Sequence, residues 1–419
     1  MHKRAPKHQF FAACAPGLED LLLDELKQLH VGNASADTAG VSFTGTFETM
    51  VRVNLQSRIA ERILLRMASF STTRLGDLQK ESVSLPFERY IHSNCSVGIQ
   101  ASCKKSKIYH SGAAAERVAN AIQSKIKLTS PPRIQTAPDG TFDSFTLIQI
   151  RIIRDEVTVS IDTTGELLHR RGYRTHVTEA PMRETVAAAA LRFCDYSGEI
   201  PLVDPMCGSG TFPIEAALIA SRTAPGINRS FAFEHWPTFD EAILTAEKKR
   251  AEKFAMPLGA MIQGSDKLSS VLKVASHNVE AAGFKNKFSL SAVEISRIEL
   301  PGEPGLITVN PPWGKRLDAN SKSPVGADPR VCPPKQTQGE HATQGEHTTQ
   351  GKHATQGEHI GSPLQLIYQQ IGDIKRANPS WKLCLVTSNP KLAQATGIRF
   401  KKISPPIPMG GVRIKFYLG

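Results

Sequence analysis

Apolar positions between residues 8 and 70 switch back and forth between two periods. Phe10, Phe11 and Ala12 read as a strand; after Pro16-Gly17, Leu18, Leu22, Leu26 and Leu29 recur at helical spacing on one face. GVSFTG (40–45) reads as a second strand, Glu48 to Leu55 as a helix, and Arg62 to Phe70 as a third strand. From residue 71 to 165 strict alternation takes over. Val97, Ile99 and Ala101 mark one strand, and Ile148, Ile150 and Ile152 face Val157, Val159 and Ile161 across the turn Arg154-Asp155-Glu156, a hairpin with one buried face. Between them lies CKKSKIYHSGAAAERVANAIQSKIK, a basic loop running into a helix with Val118, Ile122 and Ile126 as its core stripe.

Residues 1–70 thus predict a small ferredoxin-like unit with no chemistry of its own. Beyond residue 166 the pattern becomes that of an open α/β sheet, in which short apolar strands end in polar residues and lead into helices. EIPLVDPMCGSGTFPIEAALIASR (199–222) is a buried strand ending in Asp204, a Gly-rich turn and a helix, the layout of a nucleotide-like ligand site. No Gly-Lys-Ser/Thr follows, so it is not a phosphate-binding Walker loop, and dinucleotide-fingerprint spacing is absent. MIQGSD is a second strand ending in Asp266, a carboxylate placed to accept both ribose hydroxyls of a nucleoside. FSLSAVE, ending in Glu294, is a third. GLITVNPPWGKRL is a fourth, and its Asn310-Pro311-Pro312-Trp313 end offers two stiffly held carbonyl acceptors and an aromatic face to one exocyclic amine. The tail adds an amphipathic helix (LQLIYQQIGDIKRAN), an apolar strand (KLCLVTSN) and a hairpin of GIRFKKIS with GVRIKFYLG around PPIPMGG.

Composition changes the picture in two respects. The 419 residues carry 51 Lys and Arg against 39 Asp and Glu, a net charge of +12, which fits a polyanionic partner. Seven cysteines (14, 95, 103, 194, 207, 332, 384) form no CxxC pair, so neither a disulfide framework nor a zinc site is expected; a reducing cytosol is. No apolar run is long enough for a membrane span. Lys104, Lys105 and Lys107 beside Tyr109, and Arg170, Arg171 and Arg174 around Gly172-Tyr173, are candidate phosphate and base contacts. The alternatives are an ordinary solvated Lys loop and arginines pairing with carboxylates across a domain junction.

DPMCGSGT followed by NPPW resembles the S-adenosylmethionine-dependent methyltransferases that modify base amino groups. DTTGELLHRRGYRTHVTEAPMRETVAAAAL (162–191) is similar to the THUMP-containing guanine-N2 RNA methyltransferases, in particular the bacterial 23S rRNA enzymes of the RlmL type. The resemblance implies a seven-stranded Rossmann-like class I methyltransferase domain (166–419), ending in an antiparallel hairpin, behind an α+β module of the ferredoxin-like unit and an RNA-holding THUMP domain (71–165). It implies S-adenosyl-L-methionine as cofactor, held by Thr185, Asp204, Pro205, Cys207, Gly208, Gly210, Thr211, Asp266 and Glu294, and catalysis by Asn310, Pro311, Pro312 and Trp313. The expected partner is 23S rRNA or a large-subunit assembly intermediate, with no membrane and no metal, in the cytoplasm. A tRNA guanine-N2 enzyme and a non-catalytic rRNA-binding assembly factor are the alternatives.

This chain departs from that family at three places. Glu294 stands where the family usually has an Asp against the adenine amine, and Trp313 where it mostly has Tyr. Residues 318–363 are an insertion carrying TQGEHA, TQGEHT, TQGKHA and TQGEHI in succession from Thr337 to Ile360. Its polar, Gly-bearing composition predicts a disordered loop, and its histidines 341, 347, 353 and 359 lack anything to fix them as metal ligands.

Overall fold

The computed structural model describes residues 6–135, 145–174, 182–314 and 362–419. The TQGEH repeats, the end of the HRRGYRTHVTEAP stretch and Cys332 lie outside these residues. Strands β1 (His8–Ala13), β2 (Ser35–Asp37), β3 (Gly40–Gly45), β4 (Arg62–Ser71), β5 (Ser96–Lys104), β6 (Arg133–Gln135), β7 (Phe145–Ile153) and β8 (Glu156–Asp162) form one sheet. Their order is β2-β3-β1-β4-β8-β7-β5-β6. Helices α1 (Glu19–Gln28), α2 (Phe47–Gln56), α3 (Leu75–Val83) and α4 (Ser111–Lys125) cover it. Leu22 and Leu26 of α1 and Val118 and Ile122 of α4 are buried, as their spacing requires.

The hairpin is paired as its alternation predicts: Ile148 opposite Ile161, Ile150 opposite Val159, Ile152 opposite Val157. Arg154 (φ 54°) and Asp155 (φ 67°) make the two-residue turn, both in the left-handed region that such hairpin turns demand. The line drawn near residue 70 falls at the end of β4, and β4 pairs with β1 on one side and β8 on the other. The ferredoxin-like unit and the segment after it therefore share one continuous sheet.

The second sheet contains β9 (Leu202–Asp204), β10 (Ile262–Asp266), β11 (Ser289–Ala292), β12 (Leu306–Val309), β13 (Lys382–Thr387), β14 (Lys402–Ile403), β15 (Ile407–Met409) and β16 (Val412–Leu418). It runs β11-β10-β9-β12-β13-β16-β14, with β15 pairing to β16. The first five strands in this order are parallel and β16 is antiparallel, the seven-stranded class I methyltransferase arrangement. One detail differs from the expected tail hairpin. The tight turn is Gly410-Gly411, both at positive φ, so β15 is the direct partner of β16, and GIRFKKIS supplies only the two residues of β14.

Helices α5 (Glu184–Phe193), α6 (Thr211–Ala220), α7 (Glu241–Phe254), α8 (Ser269–Ala281), α9 (Pro363–Ala377) and α10 (Pro390–Ala395) pack around this sheet. α5 and α6 are buried almost all round, which explains why the alanine-rich run from Val186 and the run from Phe212 carry so little polarity. Among the described residues no helix is long and apolar enough to cross a membrane.

The two sheets are locked together. Arg52 makes a two-pronged pair with Glu247 (3.1 and 3.0 Å), the Arg58 guanidinium donates to the carbonyls of Leu218 (3.0 Å) and Thr223 (2.8 Å), and Arg183 meets Glu61 at 3.1 Å. One apolar core runs from Phe10 through Leu202 to Phe416. Thr163 and Thr164 of the DTTG stretch serve this junction: their carbonyls accept from Phe233 N–H (3.1 Å) and Ala232 N–H (3.2 Å), while Asn54 of α2 donates to Thr163 Oγ1 (2.8 Å) and accepts from Thr164 Oγ1 (2.7 Å).

Gly372 of α9 meets α10 so closely that an added Cβ would lie 1.8 Å from the Thr396 carbonyl oxygen. Backbone cannot swing aside as a side chain can, so Gly372→Ala is expected to cost about 3 kcal/mol. The check is the urea midpoint, which should fall; an unchanged midpoint would mean that the two helices part freely.

Candidate active site

The carboxyl ends of β9, β10, β11 and β12 gather the polar strand ends at the point where the strand order reverses, between β9 and β12. A cavity of about 520 Å³ opens there. Asp204, Pro205, Met206, Cys207, Gly208, Ser209 and Thr211 line it from the first loop, Asp266, Lys267 and Leu268 from the second, Glu294, Ile295 and Ser296 from the third, and Asn310 and Pro312 from the fourth. Phe212 of α6, Met182 and, from α9, Ile367 and Gln370 complete the wall.

Hydrogen bonds hold the Gly-rich loop open toward this space. Met206 N–H donates to Asp204 Oδ1 (3.0 Å), Cys207 N–H to the Ser265 carbonyl (2.8 Å), and Gly208 N–H to Asp266 Oδ2 (3.2 Å). Buried Asn278 of α8 donates to the Ser209 carbonyl at 3.1 Å. Gly208 has φ +55° with nothing within 4 Å of an added Cβ, and Gly210 at φ +86° is the left-handed residue from which α6 starts. Asp266 accepts through both oxygens, from Gly208 N–H and from Leu268 N–H (3.1 Å). Asp204 is buried, and burial, with some help from the Asp266 charge, pushes its carboxyl well above the usual carboxylate range.

The NPPW loop is fixed from behind. Tyr368 O–H reaches both the Pro312 carbonyl (3.2 Å) and Thr387 Oγ1 (2.9 Å), and the Trp313 indole N–H donates to the Val386 carbonyl (3.3 Å). Asn310 is different. Its Oδ1 is buried and finds no hydrogen-bond donor among the described residues, although a buried acceptor left unpaired costs about 1–3 kcal/mol.

Of the expected site residues, the cavity brings together Asp204, Pro205, Cys207, Gly208, Thr211, Asp266, Glu294, Asn310 and Pro312. Thr185, Gly210, Pro311 and Trp313 stand behind the wall: Thr185 and Pro311 are buried, and Trp313 packs on the core. Met182, Ile367 and Gln370 carried no signal in the sequence, since they come from a linker and from a helix beyond the insertion.

Lys104, Lys105, Lys107 and Tyr109 are exposed, Tyr109 by 83%. Their loop is tied to the hairpin turn: Lys107 N–H donates to Asp155 Oδ1 (2.7 Å) and Arg154 N–H to the Lys104 carbonyl (3.2 Å), so Arg154 joins the same basic end. Arg170 pairs with Glu166 at 2.6 Å at the surface, beside a groove of about 880 Å³ also lined by His92, Asn94 and His235.

The expectation of phosphate contacts at Arg171 and Arg174 is corrected. Arg171 is 5% exposed and donates to the carbonyls of Leu168 (2.7 Å) and Arg58 (2.6 Å) while facing Glu215 at 3.5 Å. Arg174 donates to the Met182 carbonyl and Thr211 Oγ1, both at 2.9 Å, and lies 3.3 Å from Glu184. Both guanidiniums balance buried carboxylates, an ionic demand that their sequence neighbourhood does not reveal. Burial still lifts the Glu184 carboxyl to about 7, against the pull of Arg174.

Residues 171–323 match the family described as RMKL-like, methyltransferase domain, and residues 9–64 the RlmL ferredoxin-like domain. A ribosomal RNA large subunit methyltransferase K/L from Syntrophotalea carbinolica is 31% identical over 410 residues, 94% of this chain and 51% of that protein. The chain thus spans about half the length of this K/L relative. A putative RNA methyltransferase from Synechocystis sp. is 32% identical over 75% of this chain and 81% of its own length. Among solved structures, a putative methyltransferase complexed with SAH superposes with a TM-score of 0.78 at 26% identity, covering 99% of this chain and 98% of its own. One from Listeria monocytogenes, described as a predicted N6-adenine-specific DNA methylase, gives 0.78 at 25% identity, with 99% and 96% covered. With a methyltransferase-domain and a ferredoxin-like-domain model both matched, and a 32% identical relative aligned over 81% of its length, the chain belongs to the RlmL-like family of RNA methyltransferases.

Proposed function

We propose that the chain transfers a methyl group from S-adenosyl-L-methionine to the exocyclic N2 of a guanine in large-subunit (23S) rRNA. The donor site is the 520 Å³ cavity. Its residues fit a nucleoside carrying a positive charge: Gly208 leaves open space, Asp266 offers a carboxylate for ribose hydroxyls, and Ile295 supplies an apolar wall beside Glu294 for the purine. Asp204 is costly to ionise in its buried position, and a cation beside it offsets that cost. When bound, the cofactor supplies an electrophilic methyl on sulfonium.

The chain's own residues deal with the acceptor. A guanine N2 amine is a weak nucleophile because its lone pair is delocalised into the ring. Asn310 Oδ1 accepts a hydrogen bond from it, draws the lone pair out of conjugation and aims it for in-line attack on the methyl carbon, and once the amine is methylated its extra proton is lost to water. The base must leave its stack to reach this acceptor. The observation that carries this reading is the unpaired Oδ1 of Asn310 on the wall it shares with Gly208 and Asp266. RNA is held by the Lys104, Lys105, Lys107, Tyr109 and Arg170 surfaces of a THUMP-type module in the cytoplasm. Arg171 and Arg174 take no part in this.

Mass mapping of modified nucleosides from a deletion strain tests the proposal. N2-methylguanosine should disappear from one position of large-subunit rRNA and return on complementation. Loss from tRNA instead would move the enzyme to tRNA, loss of N6-methyladenine would reassign the target amine, and an unchanged map would leave an rRNA-binding factor without turnover.

A further inference from the structure

Two segments that wall the cavity meet at a single guanidinium. Met182, just before α5, and Thr211, the first residue of α6, both line it, and both accept from the same Nη2 of Arg174, at 2.9 Å each. Glu184, the first residue of α5, lies 3.3 Å from Nε of the same group. The Arg174 side chain is 15% exposed, so these contacts are made largely out of water. Neighbouring Arg171 reaches Leu168, Arg58 and Glu215, none of which lines the cavity.

We propose that Arg174 is a positioning residue for the methyl donor, a clamp that sets the distance between the entry to α5 and the first turn of α6 and so the width of the cavity. The inference rests on the reading of that cavity as the donor site. A planar fork suits the task because Nη2 can donate to both neutral acceptors while the delocalised charge, spread over the guanidinium, faces the Glu184 carboxylate from Nε. An ammonium concentrates its donors on one atom and cannot span the three. Loss of the clamp frees Thr211 at the N-terminus of α6, beside the Gly208-Ser209-Gly210 turn, without removing any group that touches RNA or the amine.

The test uses the full chain, with S-adenosylhomocysteine binding measured by calorimetry and RNA binding by filter retention. Arg174→Met is expected to weaken S-adenosylhomocysteine binding about tenfold or more, with RNA affinity unchanged, because hydrogen bonds from a charged donor are lost. In turnover the donor KM should rise while kcat at saturation holds. Arg174→Lys should recover part of the affinity. Thr211→Val, an isosteric change that keeps the helix, should show a smaller loss, and the double variant should bind no worse than Arg174→Met alone, since both remove one shared contact.

Weakened RNA binding with unchanged donor affinity would overturn the clamp, as would additive losses in the double variant. Asp266→Ala runs alongside. If it alone impairs donor binding, the clamp fails while the cavity stands; if none of the variants does, the donor-site reading fails and the clamp with it. Thr211→Val keeps the question answerable should Arg174→Met not fold.

Discussion

Asn310→Ala is expected to lower kcat by about a thousandfold while leaving donor and RNA affinity where they were. The size follows from what the side chain does. A preorganised acceptor aimed at charge that develops only during attack contributes to the transition state and little to binding, so its removal appears in kcat and not in KM. The geometry adds a second, independent expectation. Oδ1 accepts no hydrogen bond from the described residues, so truncation forfeits none of theirs and relieves the cost of a buried, unpaired acceptor. The melting temperature of the variant should therefore stay level or rise. A catalytic loss accompanied by an unchanged or higher melting temperature marks a residue kept for chemistry at some expense of stability. Single-turnover rates and a thermal melt on the same preparation decide it. Full turnover would remove Asn310 from the mechanism, and a large fall in melting temperature would recast it as structural.

Asp266→Ala is expected to weaken donor binding by about a hundredfold, with RNA affinity intact. Two losses combine. The carboxylate that would accept ribose hydroxyls disappears, and so does the acceptor that holds Gly208 N–H (3.2 Å) and Leu268 N–H (3.1 Å) and keeps the two loops facing each other. Asp266→Asn separates the two contributions. It can keep one backbone acceptor but lacks the negative charge, so its affinity should fall between those of the wild type and Asp266→Ala. Calorimetry with S-adenosylhomocysteine reads both, and an Asp266→Ala chain that still binds it normally would shift the nucleoside to another wall of the cavity.

Much of this architecture was legible because it depends on local periodicity. The facing triplets Ile148/Ile150/Ile152 and Val157/Val159/Ile161 pair in the predicted register because a slip of one residue would turn every side chain to the wrong face. β9 and β12 fall where their apolar runs stop, at Asp204 and just before Asn310, since a parallel strand buried on both faces has little else to show, and β10 ends on Asp266 as expected, whereas the edge strand β11 stops at Ala292, two residues short of Glu294. The pairing of GIRFKKIS with β16 was misjudged only in extent, two residues of β14, because the tight Gly410-Gly411 turn makes β15 the hairpin partner.

Arginine placement was a different matter. Arg170, Arg171 and Arg174 stand within five residues of one another, yet only Arg170 keeps its charge at the surface. The side-chain partners of the other two, Glu184, Thr211 and Glu215, lie 10 to 44 residues further along the chain and become neighbours only when α5 and α6 pack together.

The sequence by itself determined the principal strands and helices, the polar ends of the strands and the chemistry those ends can offer, because strand alternation, helix spacing and glycine turns are written in neighbouring residues. Only the tertiary structure decided that one sheet runs through both N-terminal units, that Asn310 keeps an unpaired acceptor beside Gly208 and Asp266, and that Arg174 faces inward. Those outcomes depend on which distant groups share a buried, poorly solvated space. There an unmatched charge or acceptor is expensive, and its partner is chosen by packing rather than by position in the chain.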